Sequence, residues 1–193
     1  MSPQLSGLPV ILCPQPDDWA GWLAAHHRSS SGVWLKLARK GSGIASISYP
    51  QALEAALAWG WIDGQKQKLD DDHSLQRFTP RRPRSNWSKI NVDRVEALTQ
   101  AKRMQPSGIA EVEKAKADGR WAKAYDSPSN MTVPADLAAA LESNETAAAF
   151  FETITATNRY AILYRIQDAK RPETRASRIN KFVAMLAEGK TLH

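Results

Sequence analysis

Two runs of sequence decide the fold: Trp59-Gly60-Trp61-Ile62-Asp63-Gly64, and Phe78-Thr79-Pro80-Arg81-Arg82-Pro83-Arg84-Ser85-Asn86-Trp87-Ser88-Lys89-Ile90-Asn91. Between them stands Asp70-Asp71-Asp72-His73, a polar run suited to a turn. The spacing predicts a hairpin, with one strand from Trp61 to Leu69 and a return from Ser74 to Thr79. Alternation puts Trp61, Asp63 and Gln65 on one face. A turn centred near residue 71 puts Leu75, Arg77 and Thr79 on that same face, so Asp63 and Arg77 are expected near-opposite, within reach of an ion pair. Pro80 and Pro83 end the strand, because proline cannot donate to a central ladder.

Working outward, Val33, Leu35 and Leu37 alternate with Trp34, Lys36 and Ala38, as a strand requires. Helices are expected after Pro16, where Asp17 and Asp18 suit the first turn, and after Tyr49-Pro50. Asn91 is expected to cap a further helix. From Pro134 onward the pattern is helical, with Asn144 as a cap and Pro172 as a boundary. The fold class is therefore α+β. A small, mainly antiparallel sheet with packed helices is expected over residues 1–90, followed by a helical region over residues 91–193, as one continuous structural unit.

At 193 residues with 42% hydrophobic and 24% charged content, the chain has the composition of a soluble globular domain. No run approaches the roughly 18–20 apolar residues a membrane span needs, and Met1 to Pro16 has no signal-peptide pattern, so a cytoplasmic location without membrane association is expected. One cysteine, Cys13, cannot form an internal disulfide, and no base or cation adjoins it in sequence. The net charge of +6 is unevenly distributed. Residues 77–103 hold eight Lys/Arg against two acids, and residues 159–181 hold seven against two, which leaves the remainder net acidic. Two basic segments point to an anionic partner more than a uniform excess would.

Arg81, Arg82 and Arg84 sit on a backbone stiffened by two prolines, with Ser85, Asn86 and Ser88 as short donors, Asn91 beyond them and Trp87 as a flat ring. Guanidinium groups held beside an aromatic ring suit phosphate contact with base stacking, or one phosphorylated or carboxylated small molecule. The alternative is a solvated basic loop with Trp87 anchored in a core. Trp61 is a second candidate for stacking, and Asp63 is expected to orient an arginine such as Arg77. On the last helix, Arg175 falls within the apolar stripe of Ile179, Phe182, Val183 and Leu186, with Arg178 beside it. Such an arginine needs a carboxylate, backbone carbonyls, an anionic ligand or an escape to water. The three aspartates lack calcium-loop spacing, and no metal or cofactor site is indicated. No acid, base and nucleophile constellation emerges, so no catalytic residue is assigned and binding is favoured over catalysis.

Several runs together resemble the YdeI/OmpD-associated family, also labelled bacteriocin-protection proteins. They are Ser31-Gly32-Val33-Trp34-Leu35, Ala55-Ala56-Leu57, the Trp59–Gly64 and Phe78–Arg81 runs, and Ser85-Asn86-Trp87-Ser88-Lys89-Ile90-Asn91. Gly119-Arg120-Trp121, Arg159-Tyr160 and Ala169-Lys170-Arg171-Pro172-Glu173-Thr174-Arg175 add to it, over a span from about Trp19 to Gly189. The resemblance implies no reaction and no catalytic residues. Its label implies envelope association or protection from toxins. The expected function is non-enzymatic binding of an anionic partner, nucleic acid or a small anionic ligand, on a basic, Trp-containing surface. Two alternatives stand beside it: an enzyme or small-molecule site around Asp63 and Arg77, and a protein–protein interaction module in stress or bacteriocin protection.

Overall fold

A computed structural model of the chain describes residues 4–128 and 130–193. These form two compact units, 1–87 with 91–124 and 88–90 with 125–193. The division falls near residue 124. The reason is that Val95, Leu98, Val112 and Ala115, from the two helices after residue 88, are built into the core of the first unit.

The first unit contains five strands and four helices among the described residues: β1 (Gln4–Leu5), β2 (Leu8–Leu12), α1 (Pro16–His26), β3 (Val33–Ala38), α2 (Tyr49–Ala58), β4 (Trp61–Lys68), β5 (His73–Pro80), α3 (Lys89–Gln100, whose first two residues belong to the second unit) and α4 (Pro106–Ala117). The sheet order is β1-β2-β3-β5-β4. Three pairings are antiparallel, but β2 and β3 run parallel, so the sheet is mixed. The parallel pair follows from the connection. A helix between β2 and β3 carries the chain back to the start of the sheet, where a tight turn would have reversed it. Helix α3 starts at Lys89, so Asn91 lies in its first turn and not at the cap.

One face of the sheet carries the main core. Val33, Leu35 and Phe78 are wholly buried there with Trp19 and Leu23 of α1 and Leu53, Ala56 and Leu57 of α2. Trp19 stacks on Trp22 at 5.3 Å and tilts against Phe78 at 5.4 Å, while Trp22 meets the edge of Trp61 at 5.7 Å. The indole N–H groups are satisfied by backbone carbonyls: Trp19 Nε1 donates to Ala52 O at 3.0 Å, and Trp61 Nε1 donates to His27 O at 3.2 Å. Each ring therefore buries its large apolar surface without stranding a donor. The opposite face holds a smaller cluster of Leu8, Trp34 and Leu75. Cys13 is buried, and desolvation, aided by the Asp18 charge, raises its pKa to about 11, so it is a packed thiol and not a thiolate.

Helix starts follow the sequence signals. Asp18 Oδ2 accepts from Gln15 N–H at 2.8 Å ahead of α1, and Gln51 Oε1 accepts from Ser48 N–H at 3.0 Å ahead of α2. Helix α2 ends at Ala58, and Gly60 just beyond the cap has a φ of +78°, the left-handed stop that glycine adopts without cost. Helix α4 then packs against this end: Gln105 N–H and the Gly108 backbone both abut Ala58 O.

The second unit comprises Ser88–Ile90, a connecting segment and four helices among the described residues: α5 (Ala135–Glu142), α6 (Glu145–Thr153), α7 (Ala156–Gln167) and α8 (Pro172–Ala187). Asn144 caps α6 by accepting from Ala147 N–H at 3.0 Å, and Thr155 caps α7 by accepting from Asn158 N–H at 3.3 Å. Leu137, Phe151, Ile162, Ile166 and Leu186 form its buried centre. Ser88 pairs with Tyr125 as a parallel bridge, and Lys89 Nζ meets Asp126 Oδ1 at 2.7 Å. No helix among the described residues is long and apolar enough to cross a membrane.

The tightest backbone approach in the first unit is testable. A Cβ added at Gly108 would lie 2.1 Å from Ala58 O, which only backbone movement could relieve. Gly108→Ala is expected to cost about 2–3 kcal/mol and to lower the melting temperature by roughly 5–10 °C. An unchanged thermal unfolding curve would contradict that packing.

Candidate functional site

Residues 81–87 form a strap leaving the end of β5. Arg81 N–H donates to Gly60 O at 3.1 Å, prolonging the hairpin by one step past Pro80. The Arg81 side chain then turns inward. It is 7% exposed, its guanidinium lies 3.6 Å over the Trp87 ring, and Nη2 donates to Asn86 O at 2.8 Å. Desolvated stacking of this kind contributes about 2 kcal/mol. Trp87 in turn meets Trp121 edge-on at 4.8 Å. Arg120 reaches across from the end of α4: its Nη1 donates to Ser85 O at 2.8 Å while its Nε holds Asp118. Ser85 N–H closes a turn onto Arg82 O at 3.1 Å, which sets Arg84 at φ +64°, an uncommon conformation for a residue with a side chain. The strap is thus braced from inside by one arginine and from outside by another.

This arrangement corrects several expectations. Arg81 does not present its charge to solvent; it is an internal brace. Trp87 and Trp61 are 2% and 1% exposed, so neither ring has a free face for a base or a ligand. Both are drawn into the same core because an indole is the largest apolar surface a side chain offers. Of the strap's cations, Arg82 and Arg84 are exposed, and neither has an acidic partner among the described residues. Ser85 is half-buried, and its Oγ, like Trp87 Nε1, is enclosed without a hydrogen-bond partner among the described residues. Ser88 and Asn91 are half-buried.

Asp63 and Arg77 do not face one another. The register pairs Asp63 with Phe78 and Trp61 with Pro80, and a bulge between Asp63 and Lys66 restores pairing further along. Asp63 therefore shares the helix-covered face with Phe78, whereas Arg77, opposite Trp34, lies on the other. The inward demand of Trp61 and Phe78 outweighed any cross-strand ion pair, which is worth only about 0.2–1 kcal/mol. A single pocket formed by Asp63 and Arg77 is excluded by this parity. Asp63 instead accepts from the Tyr49 hydroxyl at 2.8 Å. Partial burial, together with that bond and the Asp63 charge, raises the Tyr49 pKa to about 12, against a smaller opposing pull from Arg94. Arg77 Nε is enclosed without a partner among the described residues.

In the second unit Arg175 and Arg178 are committed to the fold. Arg175 Nη2 donates to Asp136 Oδ1 at 2.8 Å and its Nη1 donates to Ile166 O at 3.0 Å. Its hydrogen bond holds the Asp136 carboxyl below the usual carboxylate range. Arg178 Nη1 donates to Arg165 O and lies 3.8 Å from Asp168. Both guanidiniums thereby satisfy carbonyls at the C-terminal end of α7, where a helix favours cations. Three partners had no local signal: Arg120 lies 35 residues from Ser85, Asp136 lies 39 from Arg175, and Tyr49 lies 14 from Asp63.

Two measurements check these roles. Arg81→Ala is expected to cost about 2–4 kcal/mol in urea unfolding, whereas Arg82→Ala should stay within about 0.5 kcal/mol. The Tyr49 proton, held to about pH 12 in the folded chain, leaves near pH 10 in an unfolded one. Its contribution to stability is full below pH 10 and lost as pH rises toward 12. Asp63→Asn should bring the Tyr49 titration, followed by NMR, back toward 10.

Comparison with known families adds two matches. Residues 11–111, more than half of the chain, match the family described as Domain of unknown function (DUF8412). Residues 130–189 match the family described as Bacteriocin-protection, YdeI or OmpD-Associated. The YdeI/OmpD-associated resemblance is thereby found in the second unit, while the Trp59–Gly64 and Phe78–Asn91 runs fall in the first match and not in the second. No curated protein and no solved structure matches the chain. The chain thus belongs to the DUF8412 family over its sheet-containing part and carries a YdeI/OmpD-associated domain in its helical part.

Proposed function

We propose that the chain is a binding protein whose strap engages an anionic group, a phosphate or carboxylate of a nucleic acid or of a small ligand, without catalysing a reaction. The observation that carries this is the pair Arg82 and Arg84, two exposed guanidiniums without acidic partners on a loop whose backbone is pinned by Arg81, Trp87 and Arg120. A pinned loop loses little entropy when an anion binds, so its cations contribute more than those on a mobile tail. Base stacking is not part of this reading, because both candidate rings are sealed. Contact is with charge and not with base identity. The compartment we propose is the cytoplasm, in keeping with a lone buried cysteine that forms no disulfide within the chain.

The test is the salt dependence of binding to a labelled single-stranded oligonucleotide, followed by fluorescence anisotropy. Replacing Arg82 and Arg84 together with alanine should reduce the slope of log K against log salt by about 1–2. Thermal shift with pyrophosphate covers the small-ligand form, and the same double variant should abolish the shift. If the double variant matches the parent chain in both assays, the strap is not the anion site.

A further inference from the structure

A second surface lies in the helical unit and owes nothing to the strap. Between α5 and α6 the described residues leave an open groove of about 430 Å³ floored by Leu141, Ala148 and Phe151 and edged by Glu142 and Glu152. The surrounding stretch is unusual in charge. From Ala124 to Asn158 there are five acids and no Lys or Arg, in a chain whose net charge is +6.

The two rims differ in one respect. Glu142 is the last residue of α5 and Glu152 stands in the last turn of α6, where the partial negative charge of helix carbonyls already disfavours a carboxylate. At α6 the chain supplies its own remedy. Arg159 Nη2 donates to Phe151 O at 3.0 Å and reaches Glu152 Oε2 at 3.3 Å, with its guanidinium 4.7 Å over the Phe151 ring. At α5 no cation answers: Glu142 has no basic partner among the described residues, and α5 has no basic residue in its last turn. An apolar floor with an acidic edge lacking its cation calls for a side-chain pair of the opposite design.

We propose that this groove docks a cationic amphipathic segment of a partner protein. One bulky apolar side chain seats over Leu141, Ala148 and Phe151, and a neighbouring Lys or Arg closes on Glu142 as Arg159 does on Glu152. Small residues on the floor let a helix approach closely, and helix-in-groove recognition uses apolar anchors of this kind. The charge pairing sets orientation, and the apolar seat supplies most of the affinity.

The probe is a fluorescein-labelled peptide of about 16 residues with Leu at helical i, i+3, i+4 spacing and Lys elsewhere; its Glu-for-Lys counterpart is the control. The full chain should bind the Lys peptide and not the Glu peptide. Ala149→Trp, which fills the groove mouth from an exposed position, and Glu142→Lys should each weaken binding by about tenfold or more. Both variants should melt as the parent does. Arg82→Ala with Arg84→Ala should leave peptide binding unchanged, which separates this surface from the strap. The proposal fails if neither peptide binds, if the Glu peptide binds equally, or if Ala149→Trp and Glu142→Lys bind the Lys peptide as tightly as the parent. It also fails if sedimentation shows a self-associated chain that Ala149→Trp dissociates, since the groove's occupant is then a second copy.

Discussion

Burying Trp61 and Phe78 beneath two helices is the constraint from which the first unit follows. The side-chain period of a strand is two, so choosing which residues face inward chooses the face of every other residue on the hairpin. Once Trp61 and Phe78 are inside, Asp63 must accompany them and Arg77 must lie on the far side. The bulge after Asp63 then frees the distal part of β4, whose residues from Gly64 onward are all exposed. The near end of the hairpin belongs to the core; further out β4 is a solvated edge, while β5 stays paired with β3 and buried at His73, Leu75 and Gln76.

The strap inherits its geometry from this choice. Because Pro80 pairs with Trp61, the chain leaves the sheet beside the aromatic core, and the first residue past the strand is Arg81. A charged side chain 7% exposed needs its flat face covered and an acceptor within reach, and here the ring of Trp87 covers the face and the carbonyl of Asn86 accepts from Nη2. A lysine has neither the planar face nor the fork of donors, so the position requires arginine for its shape as much as for its charge. Arg82 and Arg84 are left outside by the turn that follows. Of three arginines within four residues, one holds the loop and two are exposed to solvent.

Much of this was legible in the residues. Pro16, Tyr49-Pro50 and Pro172 mark helix starts, Asn144 caps where expected, and the alternation of Val33, Leu35 and Leu37 matches their burial. The hairpin limits were correct to within one or two residues. Its parity was not, because three aspartates mark a turn but give no sign of the bulge between Asp63 and Lys66, and one residue of slip exchanges the faces. The parallel pairing of β2 was hidden for another reason: a strand five residues long, interrupted by Pro9, has little periodicity of its own. At the site, composition drew attention to the arginines but could not divide them into internal braces and solvent-exposed charges. That division depends on Arg120, Asp136 and Tyr49, whose connections to Ser85, Arg175 and Asp63 are set by folding and leave no trace in local spacing.

The assignment of Ser88–Ile90 to the helical unit, amid residues of the sheet unit on either side, has a bearing on how the chain can be cut. The recognisable family segments end at residue 111 and resume at residue 130, which invites dissection at that gap. A fragment begun there would forfeit Tyr125, Asp126 and the short run that pairs with them, leaving Tyr164 without its edge-on neighbour. On the ribosome the same interleaving means that Lys89 emerges well before its carboxylate, so the helical part can complete itself only after the intervening helices have been synthesised. Homology boundaries and folding boundaries are different cuts through this polypeptide.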